Sequence, residues 1–199
     1  SLTIRGGEKA RKTMLLRALQ FHARAAYKKG ESKEKVLERL KTDQFVGLYV
    51  SCMRLLDRLG SRTEKLNEPY ARLFAAYAKE ALQGVRHLQE IDKTLVNKSY
   101  YRHVAEAVSD YLSGCLDLLS VGSGYELERR LQTILVRLSQ GERGFSLVGH
   151  PSAAFPHLAE AIAKCSPLWT EGYILFLLDD VSTRYLREAN IEEILSTLI

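Results

Sequence analysis

Apolar positions recur every three or four residues along most of the chain, the spacing of one face of an α-helix. Between Glu8 and Lys29 the wheel gathers Met14, Leu15, Ala18, Leu19, Phe21, His22, Ala25 and Ala26 on one side, with Lys9, Arg17 and Arg24 opposite. Gly30 is a natural stop, and Ser32 can cap a short second helix reaching about Lys41. Asp43 opens a strongly apolar segment, Phe45-Val-Gly-Leu-Tyr-Val-Ser-Cys-Met-Arg-Leu-Leu56, read as a helix that ends at Gly60. Pro69 sits in the first turn of a long two-sided helix to about Val96, with Leu73, Phe74, Tyr77, Ala81, Val85, Leu88, Ile91 and Leu95 inward.

Asn97 starts a further helix, with Tyr100, Val104, Ala107, Val108, Tyr111, Leu112, Cys115 and Leu119 facing in, which stops at Gly122-Ser-Gly124. Glu126 to Gln140 carries the stripe Leu127, Leu131, Ile134, Leu135 and Leu138. A helix near Phe155 to Lys164 follows. Ser166-Pro167 is a cap with a first-turn proline for another helix that reaches about Glu188, and Asn190 with Glu193 resembles a capping box for the last. No segment alternates with period two for long enough to predict a strand. The expected fold class is therefore all-α, with about eight or nine helices joined as antiparallel hairpins, either a HEAT-like array or a large helical bundle.

Composition narrows the class further. Hydrophobic residues at 46% and charged residues at 27% suit a globular core. The longest apolar run, Tyr173 to Leu178, is far too short to span a bilayer. Cys52, Cys115 and Cys165 are widely spaced, with no CxxC pair, and read as reduced thiols in an intracellular protein. The start at Ser1, with no initiator Met or signal segment, reads as a piece of a longer chain. Charge divides the chain in two: residues 1–41 hold 12 Lys and Arg against 4 Glu, whereas residues 42–199 are mildly acidic. The first forty-one residues read as a basic helical segment and the remainder as an all-helical body.

Candidate chemistry is sparse. Gly144-Phe-Ser146-Leu-Val-Gly149 approaches the G-x-S-x-G elbow, but Val148 holds the place of the second glycine, so the loop reads as a connector. His87/Glu90 and His103/Glu106 share helix faces in an order opposite to that of carboxylate-bridged metal bundles, and read as solvated pairs. Asp179-Asp180 precedes Arg184 at ion-pair spacing, and His22 lies within an apolar face. No catalytic residue, cofactor site or metal site emerges.

The basic segment offers more. Arg17, Arg24, Lys28, Lys29 and Lys33 can meet nucleic acid or an acidic partner protein, and Lys9, Arg11 and Lys12 add to the same charge. At the other end, Ile191, Ile194, Leu195, Leu198 and Ile199 form an apolar docking surface. The function expected is a non-enzymatic helical scaffold for protein–protein contact, with nucleic-acid binding through the basic helices as the alternative.

Overall fold

The computed structural model describes residues 9–52, 67–114, 117–140, 144–181 and 191–194. Along these run α1 (Lys9–Leu19), α2 (Phe21–Ala25), α3 (Lys33–Asp43), β1 (Phe45–Ser51), α4 (Asn67–Ile91), a 3-10 turn (Lys93–Leu95), α5 (Tyr100–Tyr111), β2 (Leu112–Ser113), α6 (Gly124–Ser139), β3 (Ser146–Leu147), α7 (Pro151–Ala163), α8 (Pro167–Thr170) and β4 (Tyr173–Asp179). The expectation of an all-α fold is overturned. Two strands pair in parallel, β1 with β4, and two short ones pair antiparallel, β2 with β3. The fold is mixed α/β, and the hairpin array and simple bundle go with the all-α class.

Both long strands were read as helices for one reason. Phe45-Val-Gly-Leu-Tyr-Val-Ser51 and Tyr173-Ile-Leu-Phe-Leu-Leu-Asp179 are continuous apolar runs, without the alternation of a half-exposed sheet. A parallel strand between two layers shows that pattern, although in β4 only Leu177 and Asp179 are buried. Phe45 pairs with Tyr173, and the register runs without slip to Ser51 opposite Asp179.

The two faces of this pair have different partners. Val46, Leu48 and Val50 are buried on one face, where Phe176 meets Tyr77 of α4 at a ring separation of 4.8 Å. Gly47, Tyr49 and Ser51 share the other face with Leu175, Leu177 and Asp179. Here α1 lies against the sheet, so close at its end that a Cβ on Gly47 would overlap the Leu19 carbonyl. Gln20 forms a single parallel bridge with Gly47, and the helix expected over Glu8–Lys29 breaks there into α1 and α2. Two strands between helices are a small α/β layer unit.

Central to the molecule is α4. Tyr70, Ala71, Leu73, Phe74, Ala75, Tyr77, Ala78, Ala81, Leu82, Val85 and Leu88 are all buried, so the helix is enclosed on almost every side. Its alanines admit neighbouring backbones closely, and its aromatic residues form an edge-to-face cluster with Phe155 of α7 and Phe176. The expected start of α8 is observed: the Ser166 hydroxyl accepts from the Leu168 N–H, with Pro167 in the first turn. That helix lasts only to Thr170, however, and Gly172 leads directly into β4. The loop at 141–157 contributes β3, whose Ser146 backbone and hydroxyl bond Ser113 of β2. Leu119 is 64% exposed rather than inward, and Cys115 lies outside the described residues.

Candidate functional site

The carboxyl ends of parallel strands, where chain direction turns outward beneath a helix N-terminus, are where open α/β sheets take ligands. At that end of the β1–β4 pair four polar side chains meet. The Tyr49 hydroxyl donates to Asp179 Oδ2 at 2.7 Å, and the Ser51 hydroxyl donates to Asp180 Oδ2 at 2.9 Å. Asp179 is buried and its Oδ1 accepts the Asp180 backbone N–H at 2.9 Å. Asp180 has left the strand with φ 57°, a left-handed conformation that aspartate tolerates better than most residues. That turn brings its carboxylate back over Ser51.

A cation completes the cluster from α1. Arg17 Cζ lies 5.6 Å from the centroid of the Tyr49 ring. Hydrogen bonding to Tyr49, with Asp179 and Asp180 beyond, raises the Arg17 pKa. Burial, then the bond to Asp179, raises that of the Tyr49 phenol, so it is protonated and a donor at neutral pH. Cys52 follows Ser51, and burial pushes its thiol up to about 12, with Asp180 and Asp179 adding to the effect; it is no thiolate nucleophile.

The direction of α1 matters. Leu19 touches Gly47, and two residues earlier Arg17 reaches Tyr49, nearer the carboxyl end of β1. The helix therefore runs back along the strand. At about 1.5 Å per residue, the ten steps from Leu19 to Lys9 rise about 15 Å. The four strand steps from Gly47 to Ser51 cover about 13 Å. Lys12 and Thr13, both half-buried, lie further toward the amino-terminal end of α1.

Sequence reasoning passed over this constellation, although a signal was present. Gly6-Gly-Glu-Lys-Ala-Arg-Lys12-Thr13 matches the phosphate-loop pattern G-x-x-x-x-G-K-[ST] at Gly6, Lys12 and Thr13, with Arg11 at the second glycine. Gly6 and Gly7 lie outside the described residues. In that pattern the loop opens a helix, whereas Lys12 and Thr13 are the fourth and fifth described residues of α1. The second signal was an apolar run ending in Asp179-Asp180. Read as helix, it made the pair a surface feature beside Arg184, which lies outside the described residues.

The residues singled out from the sequence are spread differently. Arg17 joins the cluster above. Arg24 is clamped in two-point fashion by Asp43, with Nε to Oδ2 at 2.7 Å, and Lys33 bonds Asp92 Oδ2 at 2.8 Å. Lys28 and Lys29 are exposed. Ile194 is fully buried and Ile191 packs partly against the core, whereas Leu195, Leu198 and Ile199 lie outside the described residues.

The histidine pairs are close on their helix faces, with His87 Nδ1 3.3 Å from a Glu90 carboxylate oxygen and His103 Nδ1 4.0 Å from one of Glu106. His22 is only partly buried, with Nε2 3.7 Å from Glu80 and its ring 5.6 Å from that of His87. Among the described residues no three His, Cys, Asp or Glu side chains gather as a metal site built of protein ligands alone requires. No helix among them is long and apolar enough to cross a membrane. Compared with protein-family models, curated proteins and solved structures, the chain matches none.

Proposed function

We propose that this chain binds a nucleoside triphosphate together with a divalent cation at the carboxyl end of β1 and β4. The observation that carries the reading is the polar cluster itself: Asp179 and Asp180, held by the Tyr49 and Ser51 hydroxyls at the carboxyl end of the parallel pair, with Arg17 of α1 against the Tyr49 ring. Lys12 adds a full charge for the terminal phosphates, and the Thr13 hydroxyl is an oxygen donor of the kind that accompanies a phosphate-bound cation.

The carboxylates fit such a cation. Magnesium keeps several waters and takes one or two carboxylates plus substrate phosphates, rather than an all-protein cage. Asp179, Asp180 and the hydroxyls of Ser51 and Thr13 supply only oxygen, and two carboxylates agree with the absence of a larger cluster among the described residues. When bound, the cation would neutralise phosphate charge. Arg11 departs from the pattern, and α1 is already helical at Lys9.

Equilibrium titration with a fluorescent adenosine triphosphate analogue in magnesium tests the proposal. Saturable binding is expected, weakened at least about tenfold by Lys12→Ala, the cost of one charged hydrogen bond, and unchanged by Lys28→Ala. Absence of binding to the wild-type chain overturns the reading.

Contact with another protein is the second reading, favoured by Met14 and Leu15, which stand 70% and 48% exposed on α1 rather than inward as their wheel position suggested. Sedimentation over a range of concentrations, with Met14→Glu and Leu15→Glu together, would show whether these side chains hold two copies together.

A further inference from the structure

We infer that the loop between α2 and α3 is a contact surface for single-stranded nucleic acid, with Tyr27 stacking on a base and Lys28 and Lys29 meeting phosphates. It stands apart from the nucleotide site above and shares no residue with it.

The structure sorts the basic residues of this region into two groups. Arg24, Lys33 and Arg39 are committed within the chain, to Asp43, Asp92 and Glu31. Lys28 and Lys29 are exposed, and among the described residues neither ammonium has a hydrogen bond or an ion pair. Glu31, the acid nearest to them in sequence, is already occupied. One of its oxygens pairs with Arg39, and the other accepts the Lys28 backbone N–H at 2.9 Å. Beside the two cations Tyr27 stands 52% exposed, with no ring against it among the described residues.

The loop is braced from α3. Arg39 donates from Nε to the Arg24 carbonyl and from Nη2 to the Ala26 carbonyl, both at 2.8 Å, besides pairing with Glu31. Lys28 to Glu31 close a turn: the Lys28 carbonyl accepts the Glu31 N–H at 2.9 Å, and Gly30 takes φ 77°. That is the third position of a type II turn, which suits glycine, and it sets Lys29 second, at the corner. A surface ordered before it binds loses less entropy on binding. Two uncommitted cations alone suit any polyanion. The exposed ring decides for nucleic acid, because a base offers a π face to stack on and an acidic side chain does not. A duplex keeps those faces within its own stack, so the partner is single-stranded.

Fluorescence anisotropy with the whole chain tests this, using labelled deoxythymidine and uridine oligomers of about twelve nucleotides. The titrations run between about 50 and 200 mM salt, and the tighter oligomer identifies the sugar. Two phosphate contacts contribute about −1.4 to the slope of log affinity against log salt, and Lys28→Ala with Lys29→Ala should remove that contribution. Tyr27→Ala should weaken binding at least about fivefold with the slope unchanged, and Tyr27→Phe should retain it. All three side chains are exposed, so these variants leave the core intact. No binding at the lowest salt overturns the inference, as does binding that Tyr27→Ala or the double lysine variant leaves unchanged. Displacement by polyglutamate as effective, charge for charge, as by unlabelled oligomer also overturns it and assigns the loop to an acidic protein. A duplex bound as tightly as the single strand overturns the stacking role of Tyr27.

Discussion

Replacing Gly47 with alanine tests whether α1 is seated on the sheet as described. The new Cβ would overlap the Leu19 carbonyl oxygen and stand 2.8 Å from the Leu19 carbonyl carbon and 2.9 Å from Leu177 Cδ1. Leu177 can rotate away. The Leu19 backbone cannot, unless the end of α1 lifts by about an ångström. Overpacking of this kind costs typically 1–3 kcal/mol, and a backbone obstacle belongs at the upper end. Alanine regains roughly 0.5–1 kcal/mol over glycine within a strand. The net expectation is a loss of about 2 kcal/mol. In a urea melt with a slope of about 2 kcal/mol per molar, the midpoint falls by about 1 M. Because α1 also carries Lys12 and Thr13, nucleotide affinity should fall with it. Leu131→Ala on α6, a cavity expected to cost about 2–5 kcal/mol, should lower the midpoint and leave the affinity of the folded chain unchanged. A Gly47→Ala midpoint within about 0.2 M of wild type, on the same slope, would refute the seating of α1 on β1.

Other glycines and charges behave differently under the same physics. Gly84→Ala, in the middle of α4, brings a Cβ to 3.2 Å from Phe21 Cδ1 and 3.5 Å from Trp169 Cη2; these are ring edges that can shift, and the helix gains about 1 kcal/mol from alanine. Its midpoint in urea should stay close to wild type. Asp180→Ala should be less stable than Asp180→Gly by about 1 kcal/mol, because φ 57° suits glycine and strains alanine, while both abolish the effect of magnesium on nucleotide affinity. The His22 pKa is lowered from 6.5, with burial the largest cause and the nearby Glu80 opposing it. The unfolded chain therefore takes up a proton first, and stability should fall as pH drops below about 6.5. His22→Phe should flatten that part of a stability–pH curve; an unchanged slope would contradict it.

The sequence disclosed the helical part of this fold because helices betray themselves by periodicity and caps. α4 and α6 fall within a few residues of their expected bounds, and Ser166-Pro167 does start a helix. It concealed β1 and β4 because both are apolar on both faces and display no polar phase. For the second run length was the available discriminator: the six apolar residues Tyr173 to Leu178 suit a strand, whereas a buried helix needs ten or more. Gly47 inside the first run was a second clue, marking a place where another backbone approaches.

The candidate site was hidden by the same misreading. Asp179 and Asp180 acquire meaning only when they end a strand, and Tyr49 and Ser51 only when they share its neighbour's face. Lys12 was counted only in the charge of the basic segment, so the interval back to Gly6 went unused. Arg24 and Lys33 looked available for phosphate, yet Asp43 and Asp92 engage them within the chain. Linear charge density could not show that.

The most direct measurement is a backbone amide NMR titration of the chain with magnesium adenosine triphosphate. The account predicts saturable shift changes concentrated in α1 around Lys12 and Thr13, and at Ser51, Asp179 and Asp180. Changes confined to the exposed residues near Lys28 and Lys29, or no changes at all, would contradict it.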